Sequence, residues 1–179
     1  VHRLRQVRRG LPGACNCHLT RAGKGFFMSK GKITCEVEIV SKERRGAYTE
    51  VLTRLWERSV RKTHDFLRDD EVAHMCATLP SLLARVPVLA VCRCGAVYAG
   101  FACLCGRELD MLFVDPVWMG RGVGCELMRW ALSQGADTLT VNEENDAARR
   151  FYEKFEFCVV GRSEFDSLGG PHPVLWMKR

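Results

Sequence analysis

Residues 107–132 have the types and spacing of an anion-binding turn. An apolar segment, 109–114, is followed by Asp115-Pro116 and then by a turn with glycine at positions 120, 122 and 124. Glycines let the backbone approach a ligand closely, and the first amides of the next helix have no partner within that helix. The helix dipole adds positive potential at the same end. The segment therefore predicts a binding site for a diphosphate.

The two common nucleotide-binding patterns do not fit this turn. The run Gly122-Val123-Gly124-Cys125-Glu126-Leu127 lacks the third glycine of the dinucleotide pattern, and no Gly-Lys-Ser/Thr follows it as a P-loop requires. A different ligand that carries a diphosphate is indicated. The alternative is a glycine turn that only lets a helix pack on a sheet.

Hydrophobic periodicity predicts the elements that position this turn. Ile33, Cys35, Val37 and Ile39 alternate with polar residues, as in a half-buried strand. Helical spacing of apolar residues predicts helices near 47–63, 72–83, 123–134 and 148–155. Further strands are predicted near 87–92, 97–104, 107–114, 139–141, 157–162 and 173–178. The predicted fold class is α/β, with helices flanking a mixed, mostly antiparallel sheet in a single domain.

The net charge of +6 belongs to the N-terminal part of the chain. Residues 1–34 hold eight of the 27 Lys and Arg residues and no acid, which leaves 19 bases against 21 acids elsewhere. Nucleic-acid-binding domains usually carry their basic patch on the folded body, so no nucleic-acid partner is expected. Residues 1–30 are predicted to be a disordered extension, with an organelle-targeting peptide as the alternative, and 31–179 to be the domain.

The ten cysteines are expected to be free thiols, because the chain is rich in ordinary core residues and contains no Cys-x-x-Cys. The pairs Cys92-x-Cys94 and Cys103-x-Cys105 are predicted to lie roughly 20 Å apart along a hairpin, at about 3.3 Å per residue. No metal site is therefore expected. The sequence shows neither an apolar run that could span a bilayer nor a secretory signal, so no membrane association and a cytoplasmic location are expected.

A second motif follows the glycine turn by about twenty residues and reads Asn145-x-x-Ala148-x-x-Phe151-Tyr152-x-x-Phe155-x-Phe157. Together with the run Met119-Gly120-Arg121-Gly122-Val123-Gly124, it resembles the GNAT superfamily of acetyl-CoA-dependent N-acetyltransferases. The likeness spans about residues 51–178, and segments 55–67 and 161–173 resemble those of a group of small bacterial members. The resemblance implies a GNAT-like fold and transfer of an acetyl group from acetyl-CoA to a primary amine by direct attack on the thioester.

The resemblance also implies how acetyl-CoA is held. Backbone amides at Phe113 and Val114 would pair with pantetheine as a neighbouring strand does, and Asn145 would steady the pantetheine arm, although an Asn before a helix is also an ordinary N-cap. Tyr152 is implied as a cosubstrate contact and as the catalytic acid toward the thiolate, because a phenol pKa of about 10 lies near that of an alkyl thiol. The diphosphate would bind at the turn residues Met119, Gly120, Arg121, Gly122, Val123, Gly124 and Cys125.

On the acceptor side, the chemistry needs a group that removes a proton from the incoming ammonium. Asp110, Glu143 and His64 are candidates, with ordered water as the alternative. Asp65 and Asp166 could instead attract a cationic acceptor. The expected acceptor is a small-molecule or protein amine, bound by His64, Asp65, Phe66, Asp110 and Asn142.

Two positions depart from the family pattern. Met119 stands where the family has Arg or Gln, which removes a polar contact near the diphosphate, and Arg121 is a candidate to compensate. Glu156 replaces a glycine that usually adopts a left-handed conformation, at a cost of about 1 kcal/mol.

Two rival functions stay open: a catalytically idle acyl-CoA sensor of the same fold, and an interaction module whose basic arm docks on nucleic acid. A homodimer is also left open.

Overall fold

The computed structural model describes residues 34–166 and 169–179. The predicted N-terminal extension, 1–30, and Ile33 lie outside the described residues. The strands of the described part of the chain are β1 (Cys35–Ile39), β2 (Val88–Cys94), β3 (Val97–Cys105), β4 (Glu108–Val114), β5 (Thr138–Asn142), β6 (Cys158–Ser163) and β7 (Val174–Lys178). The helices are α1 (Gly46–Thr63), α2 (Asp69–Arg85), α3 (Val123–Ser133) and α4 (Asp146–Glu153).

The strands form one sheet in the order β1-β2-β3-β4-β5-β7-β6. Neighbours run antiparallel except β4 and β5, which are parallel. The predicted fold class, a mixed and mostly antiparallel sheet flanked by helices in a single domain, is confirmed.

Each face of the sheet has its own hydrophobic core. One core joins α1 and α2 to the sheet through residues such as Leu55, Leu83 and Phe101. The other joins α3 and α4 to the opposite face through residues such as Leu127 and Phe157. Gly100 of β3 allows α3 to lie close to the sheet, because a Cβ there would come within 2.7 Å of the Phe113 carbonyl oxygen and 3.1 Å of Val123 Cγ1. Helix α3, which begins at the glycine turn, is therefore held close against the sheet.

The predicted elements are present with small shifts at their ends. Helix α2 begins at Asp69 instead of residue 72, because the Glu71 side chain accepts a hydrogen bond from Arg68 N at 2.9 Å and caps the helix. One orientation was predicted wrongly. Ile39 is 55% exposed, whereas the next residue, Val40, is 1% exposed and in the core, so the alternation of β1 ends before Ile39.

The expectation of free thiols is wrong for one pair. Cys35 and Cys94 form a disulfide between directly paired residues of β1 and β2, with Cα atoms 4.1 Å apart. Cys92 lies on the same face, and its sulfur is within 4.8 Å of the other two. The pairing was missed because it joins strands 59 residues apart in sequence. Among the described residues, Cys76, Cys92, Cys103, Cys105, Cys125 and Cys158 are free.

None of the helices in the described part of the chain combines the length and apolarity that a membrane crossing needs.

Candidate functional site

Strands β4 and β5 are paired only at their beginnings and then separate. Their register covers Glu108 with Thr138 and Leu109 with Leu139, so residues 110–114 have no partner on the β5 side. The gap opens into a cavity of about 670 Å³. We call this cavity the larger cavity. It is lined by residues of β4, the glycine turn, β5 and α4, and also by Ser59, Thr63 and His64 from the end of α1.

The glycine turn forms one end of the larger cavity. Gly120 and Gly122 have φ angles of +73° and +91°, which L side chains rarely adopt, and Gly122 is the N-cap of α3. The first hydrogen bond of the helix runs from Glu126 N to Gly122 O at 3.0 Å. The amides of residues 123–125 therefore have no acceptor within the helix, which gives this end the character of an anion site.

A buried carboxylate fixes the loop that precedes this turn. Asp115 is 6% exposed and accepts a hydrogen bond from Val117 N at 3.1 Å. Its Oδ2 also accepts a hydrogen bond from Arg58 Nε on α1 at 3.0 Å. The backbone leaving β4 is thus tied to α1, which positions the turn relative to the cavity.

Helix α4 brings Tyr152 and Asn145 to the opposite wall. Asn145 Oδ1 accepts a hydrogen bond from Ala148 N at 3.1 Å, so the N-cap alternative describes this side chain. Tyr152 packs against Phe151 and Phe157, and its hydroxyl has no hydrogen bond to any residue in the described part of the chain. Burial raises the pKa of Tyr152 to about 12, so the phenol stays protonated at neutral pH.

The turn after α4 has the predicted left-handed residue. Glu156 has a φ of +69° and is the one non-glycine residue with a positive φ among those described. This confirms the conformation expected for the position where the family pattern has glycine.

A smaller cavity of about 250 Å³ lies on the other side of the β4–β5 gap. His64, Asp110, Phe113, Thr140 and Asn142 line both cavities and form their shared wall. The rest of the smaller cavity is lined by two further carboxylates and several apolar side chains: Glu108 and Asp166, with Trp56, Val60, Leu67, Met75 and Val174. The smaller cavity thus suits a ligand that is both cationic and partly aliphatic.

His64 is held as a neutral ring on the shared wall. The Thr63 hydroxyl donates to the Ser59 carbonyl oxygen at 2.9 Å, so Thr63 Oγ1 accepts from His64 Nδ1 at 2.8 Å. This assigns the ring proton to Nδ1 and leaves Nε2 as an acceptor. Burial lowers the pKa of His64 to about 4. The imidazole is therefore uncharged at neutral pH.

Most of the predicted site residues line a cavity, but four do not. Val123 is in the core, and the Arg121 guanidinium lies 5.5 Å from the Trp118 ring centroid. Phe66 packs between the rings of His64 and His172, with centroid distances of 5.3 and 5.6 Å. Asp65 lines neither cavity. The residues that do are Phe113, Val114, Met119, Gly120, Gly122, Gly124, Cys125, Asn145, Tyr152, His64, Asp110 and Asn142.

Glu143 is a poor candidate for the base. It lines neither cavity, and Arg162 donates to both of its carboxylate oxygens at 2.8 and 2.7 Å. Hydrogen bonding to Arg162 lowers the pKa of Glu143. A carboxylate held in this way binds protons weakly and lies away from the gap.

Sequence reasoning missed several lining residues, among them Ser59, Thr140 and Phe151. Thr140 lies on β5 close to Asn142, and Phe151 lies next to Tyr152 on α4. Both could have been predicted from these neighbouring site residues. Ser59 lies in segment 55–67, which resembles small bacterial members of the family, but no role was predicted for it; it reaches the cavity because α1 ends against β4.

Comparison with known proteins agrees with this geometry. A family model described as an acetyltransferase (GNAT) domain matches residues 86–159. The peptidyl-lysine N-acetyltransferase YjaB of Escherichia coli K12 is 41% identical over 127 residues, which cover 70% of this chain and 86% of that protein.

Solved structures show the same fold. The apo-form solution structure of YjaB from Escherichia coli has a TM-score of 0.72 and 37% identity, and covers 81% of this chain and 97% of its own. PaiA N-acetyltransferase from Thermoplasma acidophilum, crystallised with coenzyme A, has a TM-score of 0.58 and 15% identity, and covers 82% and 98%. At that identity, the likeness to the second structure concerns the fold alone.

Proposed function

The chain belongs to the GNAT family of acetyltransferases, and on that premise we propose that it acetylates the side-chain amine of a lysine in a protein or peptide. Acetyl-CoA is the proposed acetyl donor, and the amine attacks the thioester directly. The relative named a peptidyl-lysine N-acetyltransferase supports a protein amine as the acceptor.

The observation that carries this proposal is the pair of cavities with one shared wall. Direct attack requires the donor and the acceptor to be bound together, with the reacting atoms in contact. His64, Asp110, Phe113, Thr140 and Asn142 face both cavities, so ligands on the two sides would meet there.

Two features of the larger cavity support acetyl-CoA as its ligand. The free amides at the start of α3 suit the diphosphate, and Gly120 and Gly122 provide the backbone conformation. The β5-facing edge of β4 at Phe113 and Val114 is unpaired and suits the amides of pantetheine. Acetyl-CoA supplies the activated acetyl group when bound. The proposed chemistry uses proton transfer and involves no metal.

Tyr152 is the proposed acid for the departing sulfur. Its hydroxyl has no hydrogen-bond partner among residues 34–166 and 169–179, it lines the larger cavity, and it is protonated at neutral pH because burial raises its pKa to about 12. The same burial makes it a weak acid, so its contribution is a hydrogen bond that becomes a proton donation as charge develops on sulfur.

The proposal is tested by incubating the protein with acetyl-CoA and a lysine-containing peptide whose N-terminus is blocked. The expected result is release of coenzyme A thiol with a matching gain of one acetyl group on the lysine, located by mass spectrometry. The same peptide with norleucine in place of lysine is the control and should stay unmodified. Thermal stabilisation by acetyl-CoA without turnover would support the acyl-CoA sensor instead.

A further inference from the structure

Three cysteines of β1 and β2 converge on one face of the sheet. Cys35 is paired with Cys94, and Cys92 lies two residues before Cys94 on β2, so its side chain is on the same face. The three sulfur atoms lie within 4.8 Å of one another. We call these three residues the cysteine trio. Its third sulfur comes from β1 and not from Cys103 or Cys105 of β3.

The cysteine trio lies in the core between the sheet and α3. Cys92 and Cys94 are 0% and 2% exposed, and Cys35 is partly exposed and packs against the same core. Among residues 34–166 and 169–179, no histidine or carboxylate joins the cluster, so its donor atoms are all sulfur. None of the three cysteines lines the larger or the smaller cavity. The trio is therefore separate from the candidate functional site.

Reduction would turn the trio into three thiols held side by side. In the oxidised protein, Cys92 has a free thiol next to the Cys35–Cys94 bond. The pairing of β1 with β2 keeps the three side chains together once that bond is broken. Two sulfurs bound to one atom are at most about 4.6 Å apart, which is twice a bond of about 2.3 Å. Small side-chain rotations would therefore place all three sulfurs around a single atom.

Donor type, donor number and charge indicate which atom fits. Sulfur ligands favour soft, thiophilic elements. Zn²⁺ almost always has four ligands in structural sites, and the trio offers three. One Cu⁺ with three thiolates would leave two net negative charges in an apolar core, which is costly. Trivalent arsenic takes three sulfur ligands, and its complex with three thiolates has no net charge.

We propose that the reduced cysteine trio binds one atom of trivalent arsenic, supplied as arsenite. Cys35 is partly exposed and gives the ligand access from the surface. The bound atom would join β1 to β2, as the disulfide does in the oxidised protein. This inference does not depend on the proposed function, because the trio lines neither cavity.

Atoms and electrons balance in two steps. A dithiol reductant gives two electrons and two protons to the Cys35–Cys94 bond and becomes a disulfide, which leaves three thiols in the trio. Arsenite is As(OH)₃ at neutral pH, and each thiol replaces one of its hydroxides. Three S–As bonds form, three As–O bonds break and three water molecules leave. Arsenic stays trivalent, and no proton is released.

The test uses the full chain reduced with a phosphine, which offers no thiol to compete for arsenite. Cys15 and Cys17 form another Cys-x-Cys in the sequence, so Cys15→Ser and Cys17→Ser are present in every sample. After gel filtration the reduced protein should retain one arsenic atom per chain, and X-ray absorption should show three sulfur neighbours and no oxygen. Arsenite should also raise its urea midpoint. The oxidised protein should retain no arsenic.

Cys92→Ser is the informative variant, because it removes one sulfur and keeps the Cys35–Cys94 bond. The reduced variant should lose most of the retained arsenic and the shift in urea midpoint, and any arsenic that stays should have two sulfur neighbours and one oxygen. Cys92→Ala adds no buried hydroxyl and should behave in the same way if serine prevents folding. Cys103→Ser also replaces a buried free thiol and is the matched control, so it should bind arsenic like the parent protein.

Three results would each overturn the proposal. If the reduced parent protein retains no arsenic, the trio is not a site for it. If Cys92→Ser and Cys92→Ala retain arsenic with three sulfur neighbours, the ligands lie elsewhere. If Cys103→Ser loses arsenic to the same extent as Cys92→Ser, retention reflects the folded core in general and not the trio.

Discussion

The two cavities meet at one wall but are built in different ways. The larger cavity is formed mostly by two stretches of chain, 109–125 and 140–152, and the glycine turn at one end of it leaves the amides of residues 123–125 without an acceptor in the helix. The smaller cavity is formed by side chains from α1 and the loop after it, α2, β4, β5, β7 and the loop after β6. One side therefore depends on local backbone conformation, and the other on how distant elements pack.

This difference indicates how the two sides respond to substitution. Under the proposed function, a change at the glycine turn alters the backbone that would hold acetyl-CoA, and so should affect reaction with every acceptor. A change at Trp56 or Met75 alters one part of the wall of the smaller cavity and leaves the turn intact. Acceptor choice should therefore be easier to change than donor binding.

The largest expected effect is that of Tyr152→Phe, because Tyr152 is the proposed acid for the sulfur of the C–S bond that breaks. The variant keeps the ring that packs on Phe157 and loses only the hydroxyl. We expect kcat to fall about 10² to 10⁴-fold while acetyl-CoA affinity and the thermal midpoint persist.

Tyr98→Phe is the matched control for Tyr152→Phe. It removes a phenol hydroxyl from β3, outside both cavities, and should turn over like wild type. Equal kcat values for Tyr152→Phe and wild type would show that the sulfur leaves unprotonated or is served by another group.

The next effect concerns the disulfide. Cys35–Cys94 closes a loop of 59 residues that contains α1 and α2, and so most of the apolar wall of the smaller cavity. Loop-closure entropy predicts that Cys35→Ser lowers the free energy of unfolding by about 4 kcal/mol relative to the oxidised protein. Urea unfolding measures this, with Cys105→Ser, an exposed free thiol, as the control.

Cys35→Ser also tests whether the two sides are independent of each other. Cys35 and Cys94 belong to the core under α3, whereas the loop that they close contains α1 and α2. Hydrogen exchange should therefore quicken in all three helices. Unchanged exchange in α3 would show that the side of the sheet that carries the glycine turn does not depend on the disulfide.

A third effect is loss of donor binding in Gly122→Glu. The backbone at residue 122 has a φ of +91°, and the new carboxylate would lie where we propose that the diphosphate binds. Wild type should gain about 2.7 kcal/mol in stability at acetyl-CoA concentrations one hundred times the dissociation constant. The variant should gain almost none.

Gly122→Ala separates charge from backbone strain. It has the same unfavourable φ and no carboxylate, so it should be destabilised yet keep part of the acetyl-CoA shift. If both variants bind acetyl-CoA like wild type, the donor does not use this turn.

The fold was largely predictable because its signals are local. Helical spacing in α1 and the glycines around α3 predict those elements without knowledge of the rest. The orientation of Ile39 and the Cys35–Cys94 bond were not predictable. Both depend on the register between β1 and β2, which is set by pairing across 59 residues.

The candidate site was likewise predictable only where its signals are local in sequence. Tyr152 and most of the turn lie in two short motifs and line the larger cavity, and their roles stay predictions. In the smaller cavity, the polar residues His64, Asp110, Asn142 and Asp166 were named for the acceptor side. Its apolar wall was not foreseen, since Trp56, Met75 and Val174 read as ordinary core residues in sequence. Glu143 illustrates the same limit, because only the structure shows that Arg162 holds it.

The smallest expected effect is that of Glu156→Gly, at the turn that follows α4. Glu156 has a φ of +69°, which costs a non-glycine residue about 1 kcal/mol, so glycine should stabilise the fold by up to that amount. The ion pair with Arg179, Nη2 to Oε2 at 2.7 Å, is exposed and its loss should matter little. Glu156→Ala keeps the strain and loses the ion pair, so in urea unfolding it should be no more stable than wild type.

If the donor side depends on backbone conformation alone, Glu156→Gly should also keep the wild-type kcat, because the φ at residue 156 is unchanged and Tyr152 keeps its position. A fall in kcat would mean that the side chain at 156 helps to position Tyr152, and the donor side would then depend on packing as the acceptor side does.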